Sequence, residues 1–207
     1  GMHPIPIVHG LTVGELAMMI NGEGWLGSQK CDLQVISMNH YDHNDRYSLP
    51  VKPSPNLPND RSIQLYASLC LLEPTVVSIG RGTMFPFQVI GYPDSTLGTF
   101  SFTPKSIPGM STYPKHENVT CYGKDLRTEA VPDGFDLSYL LESYTKIDPE
   151  DDFFTSPAFF DKLAGTDELR SQIINNKGEK VIRDSWQPRL DQYKKLREKY
   201  LLYADFE

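Results

Sequence analysis

The chain has 207 residues, 39% hydrophobic and 23% charged, with a net charge of −7. That composition supports a buried core and argues against disorder throughout. The acidic balance repels phosphate backbones, so nucleic acid is not an expected partner. No apolar run approaches the roughly 20 residues a membrane-crossing helix needs, so no membrane span is expected.

The elements follow in chain order. Residues 1–11 hold Pro4 and Pro6 and read as extended. Thr12 with Glu15 has the spacing of a capping box. Val13, Leu16, Ala17 and Ile20 then recur at helical spacing, and Asn21, Gly22 and Gly24 stop that helix. Residues 32–38 are short, apolar and partly β-branched, which predicts a buried strand. Residues 40–59 carry Pro50, Pro53, Pro55 and Pro58 and read as a long ordered loop. A second helix, capped by Asp60 or Ser62, is predicted to run to about Glu73. Strands are predicted over 87–91, 100–103 and 119–122, and a helix over 135–147. Ser156-Pro157 opens a short helix that Gly165 ends. Thr166 starts another, and from Lys180 onward Trp186, Leu190, Tyr193, Leu196, Tyr200 and Tyr203 trace a long amphipathic helix with Pro188 inside it.

These elements predict an α+β fold, a mixed β-sheet flanked by helices with a helical C-terminal segment. The expected division is an α+β domain over 1–155 and a helical extension over 156–207 packed on it. Cys31, Cys70 and Cys121 lie far apart with no CxxC pair, which favours free buried thiols over a bridge. The opening Gly1-Met2 suits either a tag scar before a native Met or an interior piece whose export signal lies upstream.

Several segments carry possible chemistry. In Ser78-Ile79-Gly80-Arg81-Gly82-Thr83 the glycines let the backbone bend on both sides of Arg81. The turn suits a guanidinium presented to a planar carboxylate, with Ser78 and Thr83 adding hydroxyls. It equally suits an ordinary glycine turn with a solvated Arg. It lacks the spacing of a P-loop or a dinucleotide fingerprint. Glu73, at a helix end before Pro74, is the candidate catalytic acid or sugar-hydroxyl acceptor, set against a solvated helix-end carboxylate. Glu23, on the turn Asn21-Gly22-Glu23-Gly24, is a second carboxylate, because glycosidases commonly use two. Asn56 in a proline-rigid segment can bond a sugar hydroxyl or amide. Trp25, Tyr92 and Tyr113 can stack on sugar rings or serve the core. His40, Asp42, His43 and Asp45 cluster locally, but polar turns collect such residues, and no metal or other cofactor is assigned.

Ordered along the chain, a set of motifs resembles one bacterial family. They include Pro4-Ile5-Pro6, His9-Gly10-Leu11-Thr12-Val13-Gly14-Glu15-Leu16-Ala17, Cys31-Asp32-Leu33 and Pro53-Ser54-Pro55-Asn56-Leu57-Pro58. Cys70-Leu71-Leu72-Glu73, the Ser78 to Thr83 turn and Ser101-Phe102-Thr103-Pro104 follow. Phe160-Asp161-Lys162-Leu163-Ala164-Gly165-Thr166-Asp167 and Tyr200-Leu201-Leu202-Tyr203 complete the set. The family is that of the bacterial exo-β-N-acetylmuramidases, long catalogued as domain of unknown function 1343 and placed in glycoside hydrolase family 171. Where its pattern carries a Trp/Arg-bearing segment, residues 39–47 here are rich in His and Asp.

The resemblance implies a cell-wall sugar hydrolase releasing N-acetylmuramic acid from the non-reducing end of peptidoglycan fragments, with a role in cell-wall recycling. It further implies that a Rossmann-like N-terminal catalytic domain precedes Pro4-Ile5-Pro6 in complete members. This chain then supplies one wall of a cleft, partnered by its own N-terminal domain and by muramyl saccharides. By itself it is expected to be inactive. A periplasmic or extracellular location is expected. Under this reading Arg81 holds the lactyl carboxylate and Glu73 faces the sugar, with Ser78, Thr83 and Asn56 in support. The alternative from the residues is a non-catalytic glycan-binding module, or a structural domain built on the last helix.

Overall fold

A computed structural model describes residues 3–130, 134–147 and 152–206. The chain forms two compact units, Gly1–Tyr47 with Arg183–Glu207, and Ser48–Ile182. Residues 156–182 of the expected extension therefore fall in the second unit, and 183–207 in the first.

In the first unit, α1 (Val13–Gly22) begins where the sequence places it. Thr12 Oγ1 accepts from the Glu15 amide, and the Glu15 carboxylate accepts from the Thr12 amide, so two otherwise orphaned donors are met. Residues 32–38 do not form the predicted strand. Side chains bond the backbone at the segment's margins, at Cys31 just before it and at Met38. Asn21 bonds both the amide and the carbonyl of Cys31, and the Met38 amide donates to Tyr203 Oη. Val35 packs on Gly14, where an added Cβ would lie 2.6 Å from Val35 Cγ1. A β-branched run without a ladder partner stays extended but unpaired. Most of α6 (Glu179–Arg197) belongs to this unit and continues through Pro188. Trp186, Leu190, Tyr193 and Leu196 lie along its covered side, and the helix ends at the buried Arg197 rather than running on to Tyr203, with a 3-10 turn over Glu198–Tyr200 after it.

The second unit holds α2 (Asp60–Leu69), followed by a 3-10 turn over Cys70–Leu72. Asn59, one residue before the predicted cap, closes the capping box with Ser62. Three strands follow, β1 (Val89–Tyr92), β2 (Phe100–Phe102) and β3 (Cys121–Asp125). The sheet order is β1-β3-β2, and Val89 pairs with Asp125 while Phe102 pairs with Cys121. The fold is α+β, as expected, but the sheet is antiparallel rather than mixed. Helices α3 (Ser138–Lys146), α4 (Pro157–Ala164) and α5 (Glu168–Ile174) complete the unit. Pro157 opens α4, and Gly165, at φ 78°, ends it in the left-handed region that glycine adopts freely. The core gathers Leu65, Leu69, Leu71, Leu72, Phe87, Ile90, Leu126, Leu137, Leu140 and Phe160, all fully buried.

All three cysteines are free. Cys70 and Cys121 are buried, and burial pushes both thiols up to about 11. Cys31 is exposed, contrary to expectation, because the segment carrying it joins no sheet. Among the described residues no helix is long and apolar enough to cross a membrane.

Candidate functional site

The edge of the sheet positions the Arg81 turn. The Ser78 amide donates to the Gly91 carbonyl at 2.8 Å, and the Gly91 amide returns the bond at 2.9 Å, so β1 holds the turn's first residue. Gly80 and Gly82 sit at φ 77° and 80°, where a side chain is strained. Space forbids one as well. A Cβ on Gly80 would lie 2.6 Å from the Phe85 carbonyl oxygen, and one on Gly82 would lie 2.6 Å from Pro114. Thr83 Oγ1 donates to the Gly80 carbonyl and accepts from the Phe85 amide, closing the turn.

The turn aims Arg81 at Glu73. Nη2 of Arg81 donates to Oε2 of Glu73 at 2.8 Å, and the guanidinium lies 5.4 Å from the centroid of the Phe87 ring. Arg81 is 37% exposed and Glu73 is 19% exposed, so a ligand can reach the pair. Arg81 Nε is buried without a partner among the described residues, so Glu73 does not saturate the guanidinium fork.

Both side chains line a hollow of about 310 Å³, together with Ser78, Ser111, Tyr113, Pro114 and Lys115 among others. The hollow therefore combines one carboxylate, two cationic side chains and an aromatic ring. Tyr113 is 90% exposed. Lys115 is largely buried, and burial lowers its ammonium to about 8 while the Glu73 charge pulls it upward. An excess of positive charge at a concave site favours an anionic ligand, even on a chain whose mean charge is negative.

The other predicted residues have different surroundings. Ser78 lines the hollow but is buried, and its hydroxyl accepts from the Gly80 amide. Thr83 does not line it. Asn56 does not line it either; its amide nitrogen donates to the Met110 carbonyl at 2.7 Å, and Oδ1 is buried without a partner among the described residues. Glu23 belongs to the first unit, where Tyr200 donates to it at 2.7 Å and Lys199 lies 3.6 Å away. In the His40–Asp45 cluster, His43 Nε2 faces Glu15 at 3.1 Å, and Asp42 and Asp45 accept backbone amides. Trp25 stacks on His3 and Tyr92 meets His116 edge-on, which leaves Tyr113 as the exposed aromatic of the three named from sequence.

Comparison with known proteins decides the family. A sequence model described as "Exo-beta-N-acetylmuramidase NamZ, C-terminal" matches residues 64–203, and the corresponding N-terminal model matches residues 1–61. This chain belongs to the NamZ exo-β-N-acetylmuramidase family. Residues 1–61 of the domain expected over 1–155 thus match the family's N-terminal model.

The peptidoglycan β-N-acetylmuramidase NamZ of Bacillus subtilis (strain 168) is 36% identical over 223 residues, taking in 98% of this chain and 52% of that protein. The chain therefore spans about half the length of this curated NamZ relative. A crystal structure of a DUF1343 family protein from Bacteroides fragilis NCTC 9343 matches with a TM-score of 0.90 at 45% identity, over 98% of this chain and 58% of that one. A second such protein from the same organism, at 21% identity, matches with a TM-score of 0.68 over 97% of this chain and 58% of its own, and shares the fold.

In this NamZ-family chain, sequence reasoning found Glu73, Arg81, Ser78 and Tyr113 but not Ser111, Pro114 or Lys115. All three lie in the connection between β2 and β3, where neither helical nor strand periodicity marks a side chain as facing inward.

Proposed function

We propose that the enzyme to which this chain belongs releases terminal N-acetylmuramic acid from the non-reducing end of peptidoglycan fragments. The Glu73–Arg81 hollow forms one wall of its active cleft, and it works in the periplasm or outside the cell. The observation that carries this reading is an accessible guanidinium, only partly engaged by Glu73, in a sugar-sized hollow. Muramic acid differs from glucosamine by a lactyl carboxylate, and an arginine fork matches a carboxylate in shape and charge. The incoming carboxylate competes with Glu73 for Arg81, and Glu73 turns toward the sugar. The family match supports glycoside hydrolysis as the reaction class.

The test compares muramide and glucosaminide substrates on the full-length enzyme with and without Arg81→Ala. Loss of a charge-assisted hydrogen-bonding partner should raise KM for the muramide about tenfold to a hundredfold and change KM for the glucosaminide far less, any disturbance of Glu73 falling on both substrates alike. Equal effects on both substrates, or none on either, would remove Arg81 from carboxylate recognition.

A second reading has one observation in its favour. Tyr113 stands almost fully exposed at the same hollow, as a sugar-stacking platform does. Under it the chain binds cell-wall glycans without taking part in their cleavage.

A further inference from the structure

The segment joining Glu73 to the Arg81 turn has no regular secondary structure between the 3-10 turn and the Ser78 bridge. The carbonyls of Glu73, Thr75, Val76 and Val77 are taken by two neighbouring side chains from the connection between β2 and β3, while that of Pro74 accepts from the Ser156 amide at 3.2 Å. Lys115 Nζ donates to the carbonyls of Glu73 at 3.1 Å and Val77 at 3.0 Å, and also to that of Thr75. The Leu72 carbonyl stands at 3.5 Å. An ammonium has three hydrogens to give, and these carbonyls use all of them. His116 Nε2 then takes the Val76 carbonyl at 2.6 Å. His116 holds this position at φ 57°, a conformation that is strained for a residue with a side chain.

The same connection also grips the far side of the turn. The Lys105 amide donates to the Gly82 carbonyl at 2.8 Å, and Pro114 packs against Gly82. One loop thus holds the chain before Arg81 and after it. Among the described residues, the charged and titratable groups near the Lys115 ammonium include Glu73, Arg81, Tyr113 and His116.

We propose that Lys115 is a positioning residue that, with His116, clamps the 73–77 segment and so fixes the Glu73 carboxylate relative to the Arg81 guanidinium. Its ammonium occupies a cage of backbone carbonyls of the kind that holds a bound cation. This proposal rests on the reading of Glu73 and Arg81 as site residues. A displacement of about 1 Å in such a pair is enough to cost about a hundredfold in rate.

Lys115→Met in the full-length enzyme keeps the side-chain length and removes the cation. It should lower kcat/KM on a chromogenic muramide about tenfold to a hundredfold. Backbone amides of residues 73–83 should exchange hydrogen faster, while those of β1 and β3 remain protected. In Lys115→Ala, propylammonium should restore part of the activity, and tetramethylammonium, which has no N–H to donate, should not. His116→Gln, which keeps a donor, should stay closer to wild type than His116→Phe. Unchanged exchange over 73–83 in Lys115→Met would overturn the proposal, and so would equal rescue by both cations. If Lys115→Met does not fold, the His116 pair decides the matter, and equal kinetics and exchange in the two would overturn it. Exchange is read without substrate, so a wild-type enzyme inactive on muramides would refute the proposed function while the clamp is still judged on its own.

Discussion

Two glutamates, one in each compact unit, show what separates a structural carboxylate from an available one. Glu15 is fully buried and accepts from the Thr12 amide, the Thr12 hydroxyl and the Leu202 amide, with His43 Nε2 at 3.1 Å. Burial alone would raise its pKa, but these donors outweigh burial and hold the carboxyl below the usual range. Glu73 lines an open hollow and, among the described residues, pairs with one side chain, Arg81. A saturated carboxylate has no lone pair left for a ligand, whereas an undersaturated one beside a cation can exchange partners. Depth of burial and number of donors, more than residue type, separate the two roles.

The comparison is most easily broken at Glu73. Glu73→Gln in the full-length enzyme keeps the shape and removes the proton-transfer capacity. If Glu73 performs proton transfer, kcat should fall about a hundredfold to ten-thousandfold with the melting temperature nearly unchanged. A variant as active as wild type would return Glu73 to the structural class.

The reverse is expected at Glu15. Glu15→Ala orphans buried donors and should cost about 3 kcal/mol of stability, read as a lower denaturant midpoint. The pH dependence follows from linkage. The folded state holds the Glu15 carboxyl below its ordinary value of 4.5, so its contribution is fully present above that value and is lost as pH falls through the lower folded value. Acid unfolding should therefore begin at higher pH in Glu15→Gln, and unchanged acid and denaturant midpoints would show that the donors do not matter.

The smallest effect is expected at the rim of the hollow. Tyr113→Ala should weaken binding of a muropeptide about fivefold, as expected for loss of roughly 1 kcal/mol of ring stacking. A larger loss of affinity, with kcat per bound substrate unchanged, would favour the glycan-binding reading.

The sequence reveals these regions unevenly. Local hydrogen-bonding chemistry is legible, because Thr12 and Glu15 form their box over a few residues and Pro157 and Gly165 bound a helix by backbone constraint alone. The Gly80-Arg81-Gly82 turn is legible for the same reason. Residues 32–38 mislead because strand propensity is realised only through a partner, and here side chains bond the backbone at the margins instead, Asn21 at the preceding Cys31 and Tyr203 at Met38. Lys115 is invisible for a third reason: the carbonyls it gathers lie about forty residues upstream, and no pattern in one chain records a contact of that span.

The connection between β2 and β3 is tied to the Arg81 turn at Lys105 and to the preceding segment at Lys115 and His116. Surface loops ordinarily absorb insertions and deletions with little consequence. Here a residue added or removed between the two lysines would slide one anchor off its carbonyls. Relatives that keep this architecture should vary in composition along that stretch while conserving its length.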